Sequence, residues 1–144
     1  MTILVLNGPN LNLLGSREPD VYGSMNLLEL ERALKNRAAE LGLQIDFRQT
    51  NSEEELITWL HEAFEAGDPV VLNPAAFTHY SYALRDACAT HTSAGNKLIE
   101  VHISNPHARE EFRHNSVISG VATGVIAGFG FDSYLLAIEQ LARG

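Results

Sequence analysis

At 144 residues, 45% apolar and 19% charged, the chain is long enough for one domain that buries about 68–70% of its unfolded surface without staples. A formal charge of −8 with only two lysines, Lys35 and Lys97, leaves no basic stripe to neutralise phosphates, so no nucleic-acid partner is expected. The single Cys88 excludes an internal disulfide and any multi-cysteine metal framework, and its small apolar surroundings predict a buried, inert thiol.

The first apolar run, residues 2–6, is too short for a signal peptide or a membrane span and lacks a basic flank. No membrane partner is therefore expected, and the expected location is the cytoplasm. Apolar on both faces, this run reads as a central strand covered on both sides. It opens into a long loop, residues 7–23, whose three Gly and two Pro argue against a regular element. Leu11, Leu13, Leu14, Val21 and Tyr22 want burial, so the loop reads as a lid over a pocket, carrying Arg17 and Tyr22.

A helix is predicted over residues 26–41, with a capping box at Asn26 and Glu29 and Gly42 as its stop. Residues 43–48 alternate apolar and polar, the pattern of an edge strand. Ser52 and Glu55 repeat the capping box before the stripe Leu56, Trp59, Leu60, Ala63 and Phe64, which Gly67 ends. Residues 69–72 form a third, buried strand. A turn over 73–79 leads to a helix over 80–89, and a polar connection over 90–96 follows. The fourth strand spans 98–103, a short helical turn 107–113, and the fifth strand 121–127. A last helix starts near Asp132, read as its N-cap, with Leu135, Ile138, Leu141 and Ala142 facing inward. His61 and His91 read as solvated surface positions.

Strands alternating with single helices predict a parallel α/β sheet with right-handed crossovers. The polar second strand at an edge selects the flavodoxin-like three-layer sandwich, five parallel strands in the order 2-1-3-4-5, spanning residues 1–144 as one catalytic domain. Ligands then bind beyond the carboxyl ends of the strands, at the switch point between the first and third. That rule selects residues 7–23, 73–79 and 102–105, which hold Asn10, Arg17, Tyr22, Asn73, His79, His102 and Ser104. Glu100 and Arg113 lie close by in the sequence.

Glu100 and His102, two apart on a strand, share a face, and a carboxylate beside an imidazole fixes its tautomer and suits it to general acid work. A phenol with a pKa of about 10 is a poor base at neutral pH, but a guanidinium such as Arg17 favours the phenolate of Tyr22. His79, His102 and Glu100 match no metal-ligand spacing, and neither phosphate-loop spacing is present, so no metal and no phosphate-binding loop are expected. The competing reading is a flavodoxin-like binding module holding a nucleotide or flavin at the same switch point, which would purify with its cofactor's absorbance.

The motifs Asn7-Gly8-Pro9-Asn10-Leu11-Asn12-Leu13-Leu14-Gly15, Arg17-Glu18-Pro19 and Tyr22-Gly23 closely resemble the opening of type II 3-dehydroquinate dehydratases. The likeness continues through Asn73-Pro74-Ala75-Ala76-Phe77-Thr78-His79, Ala83-Leu84-Arg85-Asp86-Ala87 and Glu100-Val101-His102-Ile103-Ser104-Asn105. It runs on through Arg109-Glu110, Phe112-Arg113 and Ala122-Thr123-Gly124-Val125-Ile126, and so covers essentially the whole chain. The resemblance implies a lyase that dehydrates 3-dehydroquinate to 3-dehydroshikimate by anti elimination through an enolate, without metal or cofactor.

By the same resemblance Tyr22 is the base, Arg17 keeps it ionised, His102 is the acid, Glu100 orients His102, and Asn10 helps hold a water at the enolate oxygen. Asn73, His79 and Arg113, with the amides of Ile103 and Ser104, would hold the substrate's hydroxyls and carboxylate. Asp86 would reach the site of a neighbouring subunit in a homododecamer built from trimers. Ser52, Glu54, Ala75, Gly120 and Ser133 depart from the residues common in that family, and the connection over 90–97 is longer.

Overall fold

The computed structural model describes residues 1–16, 20 and 25–144. Five strands run β1 (Thr2–Asn7), β2 (Gln44–Gln49), β3 (Val70–Asn73), β4 (Leu98–His102) and β5 (Gly124–Ala127). The described helices between and after them are α1 (Leu27–Glu40), α2 (Glu53–Ala66), α3 (Tyr82–Ser93) and α4 (Asp132–Ala142). All neighbouring strands pair in parallel, in the order β2-β1-β3-β4-β5, as the hydrophobic pattern predicts.

Strand parity sorts the sheet into two faces. Ile3, Val5, Val71, Ile99 and Val101 pack under Leu30 and Leu34 of α1 and Tyr134, Ile138 and Leu141 of α4. Leu4, Leu6, Val70, Leu72 and Leu98 pack against Leu56 and Leu60 of α2 and Leu84 and Cys88 of α3. Cys88 is fully buried, and burial pushes its thiol up to about 12, which leaves it inert.

The starts of α1 and α2 follow the capping chemistry read from the sequence, whereas Asp132 is the first helical residue of α4 and not its N-cap, a position that Phe131 holds without a side-chain bond. Asn26 Oδ1 accepts from the Glu29 amide at 2.8 Å, and Ser52 Oγ from the Glu55 amide at 3.1 Å. Gly67 at φ 72° closes α2 in the left-handed conformation that its lack of a Cβ permits.

Several boundaries differ from the prediction. A 3-10 turn at Ala75–His79 fills the expected turn, but α3 starts two residues later than expected, at Tyr82, where Ser81 caps it through the Leu84 amide. At the other end α3 runs on to Ser93, through residues whose polarity reads as a loop. Thr92 Oγ1 holds this last turn by donating to the Val121 carbonyl at 2.8 Å. His91 is fully buried there, against the expectation of a surface position. Neither ring nitrogen makes a hydrogen bond of ordinary geometry, although the main chain at Lys97 and Asp68 lies alongside. Burial lowers its pKa.

β5 is shorter than predicted because Ser119–Val121 turns as a 3-10 segment. The inner face of α4 is Tyr134, Ala137, Ile138 and Leu141 rather than one led by Leu135, which is only partly buried. In the loop after β1, a 3-10 turn at Leu11–Leu13 buries Leu11 and Leu14 but leaves Leu13 exposed.

Candidate active site

The carboxyl ends of β1, β3 and β4 converge where the strand order reverses, and a cavity of about 260 Å³ opens there. Of the residues singled out from the sequence, Asn10, Asn73, His79, His102, Ile103, Ser104 and Arg113 line it. Glu100 sits behind His102 and lines an adjoining cavity of about 310 Å³ that shares His79, His102 and Arg113. Arg17 and Tyr22 lie outside the described residues, as do the other positions of the expected lid at 18–19, 21 and 23. Asp86 lines neither cavity; it is exposed on α3 and pairs with Arg85 at 3.3 Å.

The cavity rim is fixed by backbone contacts that only certain residues allow. The Gly8 amide donates to the Asn73 carbonyl at 2.8 Å, and a Cβ on Gly8 would stand 2.7 Å from the Pro74 carbonyl oxygen. Only glycine brings the β1 loop this close to the turn after β3. Asn10 and Ala75, at φ 69° and 52°, are the non-glycine residues with positive φ among the described residues, and both line the cavity. Asparagine tolerates that conformation; for alanine it costs about 1–2 kcal/mol. Asn51 Oδ1 accepts from the Asn10 amide at 3.0 Å and from Gln49 Nε2 at 3.1 Å, which latches the loop to the end of β2.

Glu100 and His102 point to the α2/α3 face of the sheet, and His102 Nε2 lies 2.5 Å from Glu100 Oε2. The groups around this carboxyl, almost wholly buried, can be assigned by counting protons. Ser116 Oγ accepts from the Ile118 and Ser119 amides at 3.1 and 3.0 Å, so its lone pairs are used and its proton must point outward. It points toward Glu100 or toward Thr78 Oγ1, 2.8 Å away. Thr78 Oγ1 therefore donates to Glu100 Oε2 at 2.8 Å, and Ser119 Oγ donates to Oε1 at 2.6 Å.

Burial alone would push the Glu100 carboxyl up, but the bonds from His102, Ser119 and Thr78 outweigh it and hold the group below its usual range. An ionised carboxylate only accepts, so His102 carries its proton on Nε2 toward Glu100 and has Nδ1 left to exchange a proton with a bound molecule.

His79 is held differently. Its Nδ1 donates to the Asn115 carbonyl at 2.7 Å and its ring stands edge-on to Phe112, 5.7 Å between centroids. Burial lowers its pKa, and the nearby His102 and Arg113 push the same way, so it is a neutral ring with its lone pair on Nε2. Arg113 lies over Phe112 at 4.6 Å, with Nε 3.2 Å from Glu110, and Arg109 Nη1 donates to Ser104 Oγ at 3.3 Å. In an acidic protein this cavity thus presents two guanidiniums, a neutral imidazole and a carboxylate-backed histidine. That set suits a small anionic, hydroxylated molecule needing proton transfer.

Ser116 and Ser119 carried no recognisable sequence signal, since loop hydroxyls are common, and Thr78 stands in the motifs above without a role. The one available cue was Glu100 itself, a carboxylate in a buried strand that must find donors somewhere. Arg109 and Phe112 appear in the motifs above without a role, and the structure brings both to the cavity.

Fold and site together define a flavodoxin-like α/β protein with an acid–base cavity at the sheet's switch point. The pattern of the dehydroquinase class II family matches residues 1–142. A 3-dehydroquinate dehydratase of Kineococcus radiotolerans is 58% identical over 142 residues, 99% of this chain and 95% of the relative. One of Mycobacteroides abscessus is 60% identical over 139 residues, covering 96% and 94%. The crystal structure of type II dehydroquinase from Propionibacterium acnes superposes with a TM-score of 0.95 at 50% identity, covering 99% of this chain and 97% of that one. The chain belongs to the class II dehydroquinase family.

Proposed function

We propose that this protein is a hydro-lyase that converts 3-dehydroquinate to 3-dehydroshikimate, the dehydration step of the shikimate pathway leading to aromatic amino acids. The observation that carries the reading is the His102–Glu100 pair, set 2.5 Å apart at the wall of a cavity that Arg113 also lines.

In this mechanism the Tyr22 phenolate, kept ionised by Arg17, removes the C2 proton beside the ketone. The electron pair moves to the ketone oxygen as an enolate, and Asn10 helps hold a water that donates to that oxygen. As the enolate collapses, the C1–O bond breaks and His102 protonates the departing hydroxyl from Nδ1, releasing water. Glu100 balances the imidazolium before transfer, and fixed donors at the developing charge lower the barrier. Asn73, His79, Arg113 and the amides of Ile103 and Ser104 hold the substrate's hydroxyls and carboxylate. Asp86 completes a neighbouring subunit's site, in a dodecamer of trimers. The chemistry uses no metal or cofactor, and the enzyme works in the cytoplasm. Among the described residues no helix is long and apolar enough to cross a membrane.

The test is direct. The purified protein is mixed with 3-dehydroquinate in the presence of a chelator, and the conjugated enone of the product is followed by ultraviolet absorbance. A protein-dependent rise is expected; a flat trace at micromolar enzyme overturns the assignment.

A further inference from the structure

We propose that Tyr134, on the helix behind the sheet, is a positioning residue that holds the Asn73 carboxamide in the orientation presented to the substrate. The proposal rests on the dehydroquinate reading for its kinetic arm only.

Asn7 and Asn73 end β1 and β3 and are directly paired in register at the switch point. Parity places both on the α1/α4 face, the face Tyr134 packs against. Asn73 Nδ2 donates to the Tyr134 hydroxyl at 2.7 Å. The hydroxyl donates to Asn7 Oδ1 at 2.7 Å, and Asn7 Nδ2 donates to the Arg48 carbonyl at 3.0 Å. At the other end the Ala75 amide donates to Asn73 Oδ1 at 3.1 Å.

Proton counting gives this chain one direction. An amide NH2 cannot accept, so the phenol must accept from Asn73 and spend its single proton on Asn7. Turning the Asn73 carboxamide over would set NH2 against the Ala75 amide, donor to donor. The Asn73 side chain is thus anchored on both of its polar atoms, and the second Nδ2 hydrogen is the donor left for a bound hydroxyl. Asn73 lines the cavity; Tyr134 does not.

The hydroxyl's partners among the described residues are the two asparagines at the strand ends. Tyr134 is fully buried in a cluster whose other buried apolar members are Leu, Ile, Val and Ala, where phenylalanine would fill almost the same space. Burial also pushes its pKa far up, so the hydroxyl stays a neutral donor across the working pH range.

The decisive variant is Tyr134→Phe, which removes one oxygen and leaves the ring. Losing one of two anchors on a substrate-binding amide is expected to raise KM about three- to tenfold while kcat stays within about twofold. In the unliganded protein, the Asn73 side-chain NH2 resonances in nitrogen–proton spectra are expected to lose their protection from solvent exchange. A lower melting temperature with unchanged KM and unchanged Asn73 resonances would make Tyr134 a packing residue only and overturn the proposal. Should Tyr134→Phe not fold, the parent protein decides: Asn73 side-chain NH2 protons protected from solvent exchange are expected, and protons that exchange as fast as those of an exposed asparagine overturn the proposal. If the parent protein does not turn over 3-dehydroquinate, the functional reading fails, and the resonance measurement still decides the role of Tyr134.

Discussion

Replacing Glu100 by glutamine tests whether the buried charge, rather than the shape, of this side chain drives the site. The substitution keeps the number and arrangement of heavy atoms, exchanging one oxygen for nitrogen, and the hydrogen-bond pattern shows how it would fit. The new NH2 must face Ser119, whose hydroxyl can turn to accept from it, because the other side carries the donors of His102 and Thr78. His102 then donates to a neutral oxygen, and the bond loses its charge assistance, which costs about 1–2 kcal/mol of stability.

The kinetic cost is larger. A unit charge roughly 4 Å from the imidazolium is worth about 4 kcal/mol at an effective dielectric of 20, which sets an upper bound of about three decades in rate. We expect kcat to fall about 10²- to 10³-fold in the enone assay, with melting by circular dichroism confirming an intact fold. The stability gap between parent and variant should also close in acid. The folded-state pKa of Glu100 is depressed, so its contribution is complete above the ordinary value of 4.5 and is lost as pH falls through the folded value. A folded Glu100→Gln protein with kcat within about threefold of the parent would refute the charge argument.

Tyr22→Phe should reduce kcat by several orders of magnitude while an equilibrium binding measurement with the substrate changes little; near-normal turnover would remove Tyr22 as the base. Ala75→Gly should relieve a left-handed strain of about 1–2 kcal/mol, offset by about 0.4–1 kcal/mol of extra unfolded-state entropy, so a neutral to slightly raised melting temperature is expected. A clear drop would show that the alanine methyl is needed for packing. His91→Leu should flatten the pH dependence of melting. With its folded pKa lowered, the unfolded state binds more protons as pH falls below the ordinary 6.5, so the parent loses stability there. Leucine abolishes that contribution, and an unchanged slope between pH 7.5 and 5.5, at fixed protein concentration, would contradict the burial assignment.

Much of the site's location was legible because it follows from period and parity. Residues 2–6 are β-branched or apolar throughout, residues 69–72 are apolar and residues 43–48 alternate, and this contrast separates interior from edge strands and so locates the switch point. Glu100 and His102 sit two apart, which puts them on one face before any coordinates are known. His91 was misread for the opposite reason: its neighbours Thr90, Thr92 and Ser93 are polar, and a sequence window reports their polarity rather than the Val121 carbonyl that buries this turn.

What the chain's linear pattern determined is therefore everything that repeats over two to four residues: strand and helix order, capped helix starts, sheet edge and the shared face of the acid pair. Tertiary structure alone decided the partners. Thr78 meets Glu100 across 22 residues, Ser119 across 19, and Tyr134 meets Asn7 across 127. Local propensity has no reach over such separations. A buried polar group must be satisfied, but which distant donor satisfies it is chosen only when the sheet closes on its helices.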